Sequence, residues 1–103
     1  DQTAPVARGT NITPYGTTGR QFHAGALDVT DESGIAEVSF AVWNETTGDV
    51  KWYRGNSYGG GDYGVLVDIS NHGSRTGKYY VLVYATDGLG NQGMTGQASY
   101  LIR

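Results

Sequence analysis

Apolar residues along this chain recur at every second position in short runs, and each run ends at glycine or at a cluster of Asp, Asn, Ser and Thr. That is the period of a β-strand with one buried face, and the 3.6-residue period of a helix is not sustained anywhere. The clearest run sets Val38, Phe40 and Val42 against Glu37, Ser39, Ala41 and Trp43. A strand predicted over 78–86 sets Tyr79, Val81, Val83 and Ala85 against Tyr80, Leu82 and Tyr84, and another places Tyr63, Val65, Val67 and Ile69 on one face. Further strands are predicted over 6–12, 22–29, 50–54 and 94–102. In the 22–29 strand either Phe22, Ala24 and Ala26 or Gly25, Leu27 and Val29 can face inward.

The punctuation between these runs is turn chemistry. Thr30-Asp31-Glu32-Ser33-Gly34, Thr46-Thr47-Gly48-Asp49, Asn71-His72-Gly73 and Asp87-Gly88-Leu89-Gly90-Asn91 all combine side chains that bond local backbone with glycine, which tolerates positive φ. Tyr58-Gly59-Gly60-Gly61-Asp62 reads as a mobile loop. About seven short strands at this spacing predict an all-β fold, an immunoglobulin-like antiparallel β-sandwich, with an up-and-down barrel as the alternative. Tyr79 supports the sandwich. It lies near the start of the sixth strand, two residues before inward-facing Val81, where a tyrosine corner belongs.

The length of 103 residues suits one domain, read as residues 6–103 behind a linker at 1–5. Charged residues make up only 17%, while 17 glycines and 8 tyrosines stand out, which is not the profile of a disordered tail. A formal net charge of −3 argues against nucleic acid and anionic membrane as partners, and no apolar run approaches the ~20 residues of a membrane span. Without cysteine there are no disulfides, zinc–thiolate sites or thiol nucleophiles. A cysteine-free sandwich suits an exported Gram-positive protein, and the chain reads as a module of a longer one, with any export signal lying outside it.

Three clusters carry candidate chemistry. Asp68, Ser70 and His72 form the only local group of acid, hydroxyl and imidazole, with His23 the only other imidazole. Residues two apart at a strand end do not converge as a nucleophile and its base, so the group reads as a turn and no catalytic residue is assigned. Asp87 and Asn91, with Asp28, Asp31 and Glu32, offer hard oxygens of the kind calcium takes, but Asp-Gly-x-Gly-Asn is equally what a tight turn requires. No metal is therefore assigned, and no cofactor is implied. The ligand candidates are aromatic: Trp43, Tyr80 and Tyr84 share the outer face of one sheet, with Trp52 or Tyr53 beside them on the neighbouring strand. Flat rings suit stacking on sugars, although the same residues also stabilise a sheet by cross-strand pairing.

The order and spacing of Ser33-Gly34-Ile35, Val42-Trp43, Val50-Lys51-Trp52-Tyr53, Val67-Asp68-Ile69-Ser70-Asn71-His72, Gly77-Lys78-Tyr79-Tyr80 and Val83-Tyr84-Ala85-Thr86-Asp87 with Gly90-Asn91 resemble the GBS Bsp-like repeat. The resemblance implies a tandem, secreted Gram-positive module, often carried beside peptidoglycan-hydrolase domains and associated with the cell wall. On that basis the expected partners are a bacterial cell-wall polymer, peptidoglycan or an attached polysaccharide, and neighbouring repeats of the same chain. The expected location is the bacterial surface. A structural spacer or protein-adhesion module is the alternative. Gly59-Gly60-Gly61 departs from the family's pattern by lengthening or loosening the loop before the fifth strand.

Overall fold

The computed structural model describes residues 4–17, 19–48 and 50–103. Eight strands form two antiparallel four-stranded sheets. They are β1 (Gly9–Pro14), β2 (Gln21–Leu27), β3 (Ile35–Asn44), β4 (Lys51–Arg54), β5 (Asn56–Gly59), β6 (Asp62–Asp68), β7 (Gly77–Asp87) and β8 (Gln92–Ile102). One sheet has the order β1-β2-β6-β5 and the other β4-β3-β7-β8, the arrangement of an immunoglobulin-like sandwich. A 3-10 turn, Ile69–His72, follows β6.

The core lies between the sheets, where the two-residue period directs the side chains. Val38, Phe40 and Val42 of β3 and Tyr79, Val81, Val83 and Ala85 of β7 meet Val65 and Val67 of β6. From β2 it is Phe22, Ala24 and Ala26 that point inward, which settles the ambiguous strand. Gly25 and Leu27 therefore face the other way, and Val29 enters the core only after the strand has ended. Phe22 packs against Tyr79 and Tyr100 at ring separations of 5.7 and 5.4 Å. The Tyr79 hydroxyl donates to the Arg75 carbonyl at 2.6 Å, so a buried ring and a backbone acceptor four residues upstream make the tyrosine corner.

The strand missing from the seven-strand expectation is β5, which begins just before the stretch read as a mobile loop. All four of its residues are exposed, so no hydrophobic alternation marks it. Backbone pairing with β6 defines it, and Gly59, Gly60 and Gly61, all at positive φ, make the turn between the two. The Val29 N–H donates to the Gly61 carbonyl at 2.8 Å, which ties this turn to the end of β2. The first strand also begins later than expected, at Gly9, while Val6 makes a separate bridge to Thr30. Of the expected linker, residues 1–3 lie outside the described residues, and Pro5 is buried. The turn residue Asp49 also lies outside them.

Candidate functional site

Because β3 and β7 turn alternate side chains inward, the remaining ones must stand on the outer face of the β4-β3-β7-β8 sheet. Register then decides which of them meet. Trp43 lies opposite Tyr80, and their rings stack with centroids 5.5 Å apart and planes 26° apart. Two residues along, Ala41 stands between Trp52 of β4 and Leu82 of β7. Its small side chain leaves room above it, and Trp52 reaches Tyr84 on the next row at 5.5 Å. Lys78 places its ammonium 5.4 Å from the centre of the Tyr80 ring.

These contacts set two aromatic pairs on one sheet face rather than scattered rings. Tyr80 and Tyr84 are four residues apart on β7, about 13 Å along the strand. Trp52 is 62% exposed, so one side of its indole is free for contact. Beside the Trp43–Tyr80 stack, a groove of about 290 Å³ continues over Leu82 to Gln97 and Ser99 of β8. Aromatic platforms flanked by an amide and a hydroxyl can stack on an apolar ring face and bond to the groups at its edge. Gln97 and Ser99 were not singled out in the sequence, where they are ordinary polar positions of an alternating strand. Only the β7–β8 register, Leu82 with Gln97 and Tyr80 with Ser99, brings them to the groove.

Tyr53 does not join this face. It pairs with Phe40 on the inner side of β4, packs against the core and places its hydroxyl 2.9 Å from His72 Nε2. Adjacent residues of a strand point to opposite faces, and the pairing of Ala41 with Trp52 leaves Tyr53 inside.

Residues 11–100 match the family model of the GBS Bsp-like repeat. The chain belongs to that family. No curated protein matches it. Among solved structures, the repeat is similar to part of a polysaccharide deacetylase from Bacillus cereus, with a TM-score of 0.74 and 13% identity over 92% of the repeat. It is similar also to a Bacillus anthracis protein assigned as a polysaccharide deacetylase, with a TM-score of 0.71 and 11% identity over 92% of the repeat. The repeat spans 30% of the length of each of those chains, and at such identity the likeness shows the fold alone.

The other candidate clusters of the repeat are occupied locally. Asp68 caps the 3-10 turn by accepting the Ser70 N–H at 2.9 Å, and Gln21 donates to its other oxygen at 3.2 Å. Those bonds from Ser70, aided by Gln21, hold the Asp68 carboxyl below its usual range. His72 points instead at Tyr53 and meets Tyr79 edge-on at 5.4 Å, so acid, hydroxyl and imidazole do not form a relay. His23 lies on the other sheet, stacked on Tyr58 with Nε2 2.9 Å from its hydroxyl.

Asp87 is buried in the β7–β8 turn. One of its oxygens accepts the Leu89 and Asn91 N–H groups at 2.9 and 2.8 Å, and the other accepts the Asn91 amide at 2.8 Å. Burial alone would push this carboxyl up, but the bonds from Asn91, Leu89 and Ser33 outweigh it and bring the pKa down to about 2. Asp31 accepts both the N–H and the hydroxyl of Ser33, and Asp28 is paired with Arg8 at 2.6 Å. Among the described residues no three His, Asp or Glu side chains group closely enough to hold a metal ion.

Proposed function

We propose that this repeat is a non-catalytic module that binds a bacterial cell-wall polymer through the outer face carrying Trp43, Trp52, Tyr80 and Tyr84. The observation that carries the reading is the stacked Trp43–Tyr80 pair beside a groove edged by Gln97 and Ser99, with the tilted Trp52–Tyr84 pair farther along the same face. Such a surface suits a sugar chain lying along the sheet. Family membership supports a surface setting. The similar solved structures support a glycan context, because each is a longer chain named as a polysaccharide deacetylase, of which the repeat corresponds to 30%. A secreted parent with several copies in tandem completes the reading. Each copy would bind weakly and hold an attached catalytic domain near its substrate by avidity.

Retention of the isolated domain on purified cell walls tests this directly. Trp52→Ala removes the most exposed platform without touching the core, and we expect retention to fall by about fivefold to tenfold, as for roughly 1 kcal/mol of lost aromatic contact. Trp43→Ala should act in the same direction. Unchanged retention in both folded variants overturns the reading. Walls stripped of secondary polymers separate attached polysaccharide from peptidoglycan. A spacer reading draws on the direct cross-strand pairing of Trp43 with Tyr80, which by itself stabilises a sheet. It predicts no wall retention by single or tandem repeats.

A further inference from the structure

A second recess lies on the opposite side of β4 from the aromatic face. Lys51 and Tyr53 alternate with Trp52 and so face the other way, towards the turn Ile69–His72. There Lys51, Arg75, Asn71, His72, Gly73 and Thr47 line a pocket of about 270 Å³. The floor is held in place: His72 is buried, bonded to the Tyr53 hydroxyl and braced by the edge contact with Tyr79.

The charges are unusual for an acidic chain. Arg8 is paired with Asp28, Arg54 with Glu37, and Lys78 lies over the Tyr80 ring. Lys51 and Arg75 have no ion-pair partner among the described residues, yet both line one pocket. Among the described residues no carboxylate lines it. Asp68, at the other end of the same turn, is engaged by Ser70 and Gln21.

We propose that this pocket is an anion site that takes a phosphodiester of a polyol-phosphate chain, held between the Lys51 ammonium and the Arg75 guanidinium with the Asn71 amide at its edge. An ammonium supplies a compact point charge and a guanidinium a planar fork, a pairing suited to tetrahedral phosphate oxygens. The pocket volume exceeds what one phosphate fills, leaving space for the flanking polyol carbons. His72 is kept below its ordinary pKa by burial and by the charge of Lys51, so it reports on the occupant: an anion placed here must raise it, and by reciprocity its protonation must tighten the anion. The site does not depend on the aromatic face, so either can fail without the other.

The test is an NMR titration of the folded domain with a short glycerol-phosphate diester oligomer and, separately, with inorganic phosphate. The expected result is saturable shifts at Asn71, His72 and Gly73 with the oligomer, binding at least fivefold tighter than inorganic phosphate, and a His72 pKa raised by half a unit or more. Lys51→Gln with Arg75→Gln should weaken oligomer binding at least tenfold with the melting temperature unchanged, while Trp52→Ala leaves it intact. Absence of saturable shifts, equal binding by the double variant, or tighter binding of inorganic phosphate than of the oligomer each overturns the proposal.

Discussion

Asp87, His72 and Tyr79 each sit where the chain turns, and each makes a bond that no solvent-exposed copy of the same residue would make. Asp87 gives stability a defined acid limb. Its folded pKa of about 2 lies below the ordinary carboxylate value of 3.8, so its contribution is full above about pH 4 and is lost as the pH falls towards 2. Asp87→Asn should therefore melt well below the wild type at pH 6, with the gap narrowing by pH 2. Thermal melts followed by circular dichroism check this, and parallel curves would show that the carboxylate is not responsible. His72 acts with the same sign through the opposite charge. Its folded pKa is lowered, so the unfolded chain takes up the proton first and stability declines as the pH drops below about 6.5. In His72→Gln, denaturant midpoints at pH 7.5 and 5.5 should lie closer together than in the wild type. Tyr79→Phe keeps the buried ring and removes only the bond to the Arg75 carbonyl, for an expected loss of about 1 kcal/mol by chemical denaturation. Tyr79 was legible in the sequence because its position relative to the strand start is diagnostic. The direction in which His72 points was not, because two aromatic residues on two other strands, Tyr53 of β4 and Tyr79 of β7, decide it.

At the scale of elements, β3 and β7 were readable because each has one face in the core and one outside, so composition alternates along them. The β2 strand was half readable. Small and apolar residues occupy both of its faces, since Gly25 and Gly64 lie side by side on the outside of the sheet with His23 and Tyr58 close over Gly64. The β5 strand was invisible because an edge strand with four exposed residues buries nothing that would mark it. Its position depends on the glycine turn. Gly61 has φ +89°, and an added Cβ would lie 3.1 Å from the Val29 carbonyl oxygen. Gly61→Ala should cost roughly 1–2 kcal/mol and loosen the β5–β6 hairpin, read as faster amide exchange in residues 56–64. Gly60 also has positive φ but meets nothing within 4 Å, so Gly60→Ala should cost less.

For the whole molecule, one sheet face carries the aromatic platforms and the far side of its edge strand carries the cationic pocket, so two surfaces are displayed on one small scaffold. Tandem copies then matter. Two linked repeats should be retained on walls at least tenfold more strongly than one, provided that the linker lets both engage, whereas a spacer would show no gain. Pull-down of one- and two-repeat proteins at equal repeat concentration separates these. The sequence by itself determined the all-β class, the inward faces of β3 and β7, the tyrosine corner and the resemblance to its family, because these depend on local period, turn chemistry and residue order. Tertiary structure alone decided that Trp52 and not Tyr53 stands beside Tyr84, that Gln97 and Ser99 edge the groove, and that Lys51 and Arg75 line one pocket. The physical reason is register. A strand's own pattern states which residues share a face, but only pairing between strands, fixed by the packing of a common core, states which of them meet.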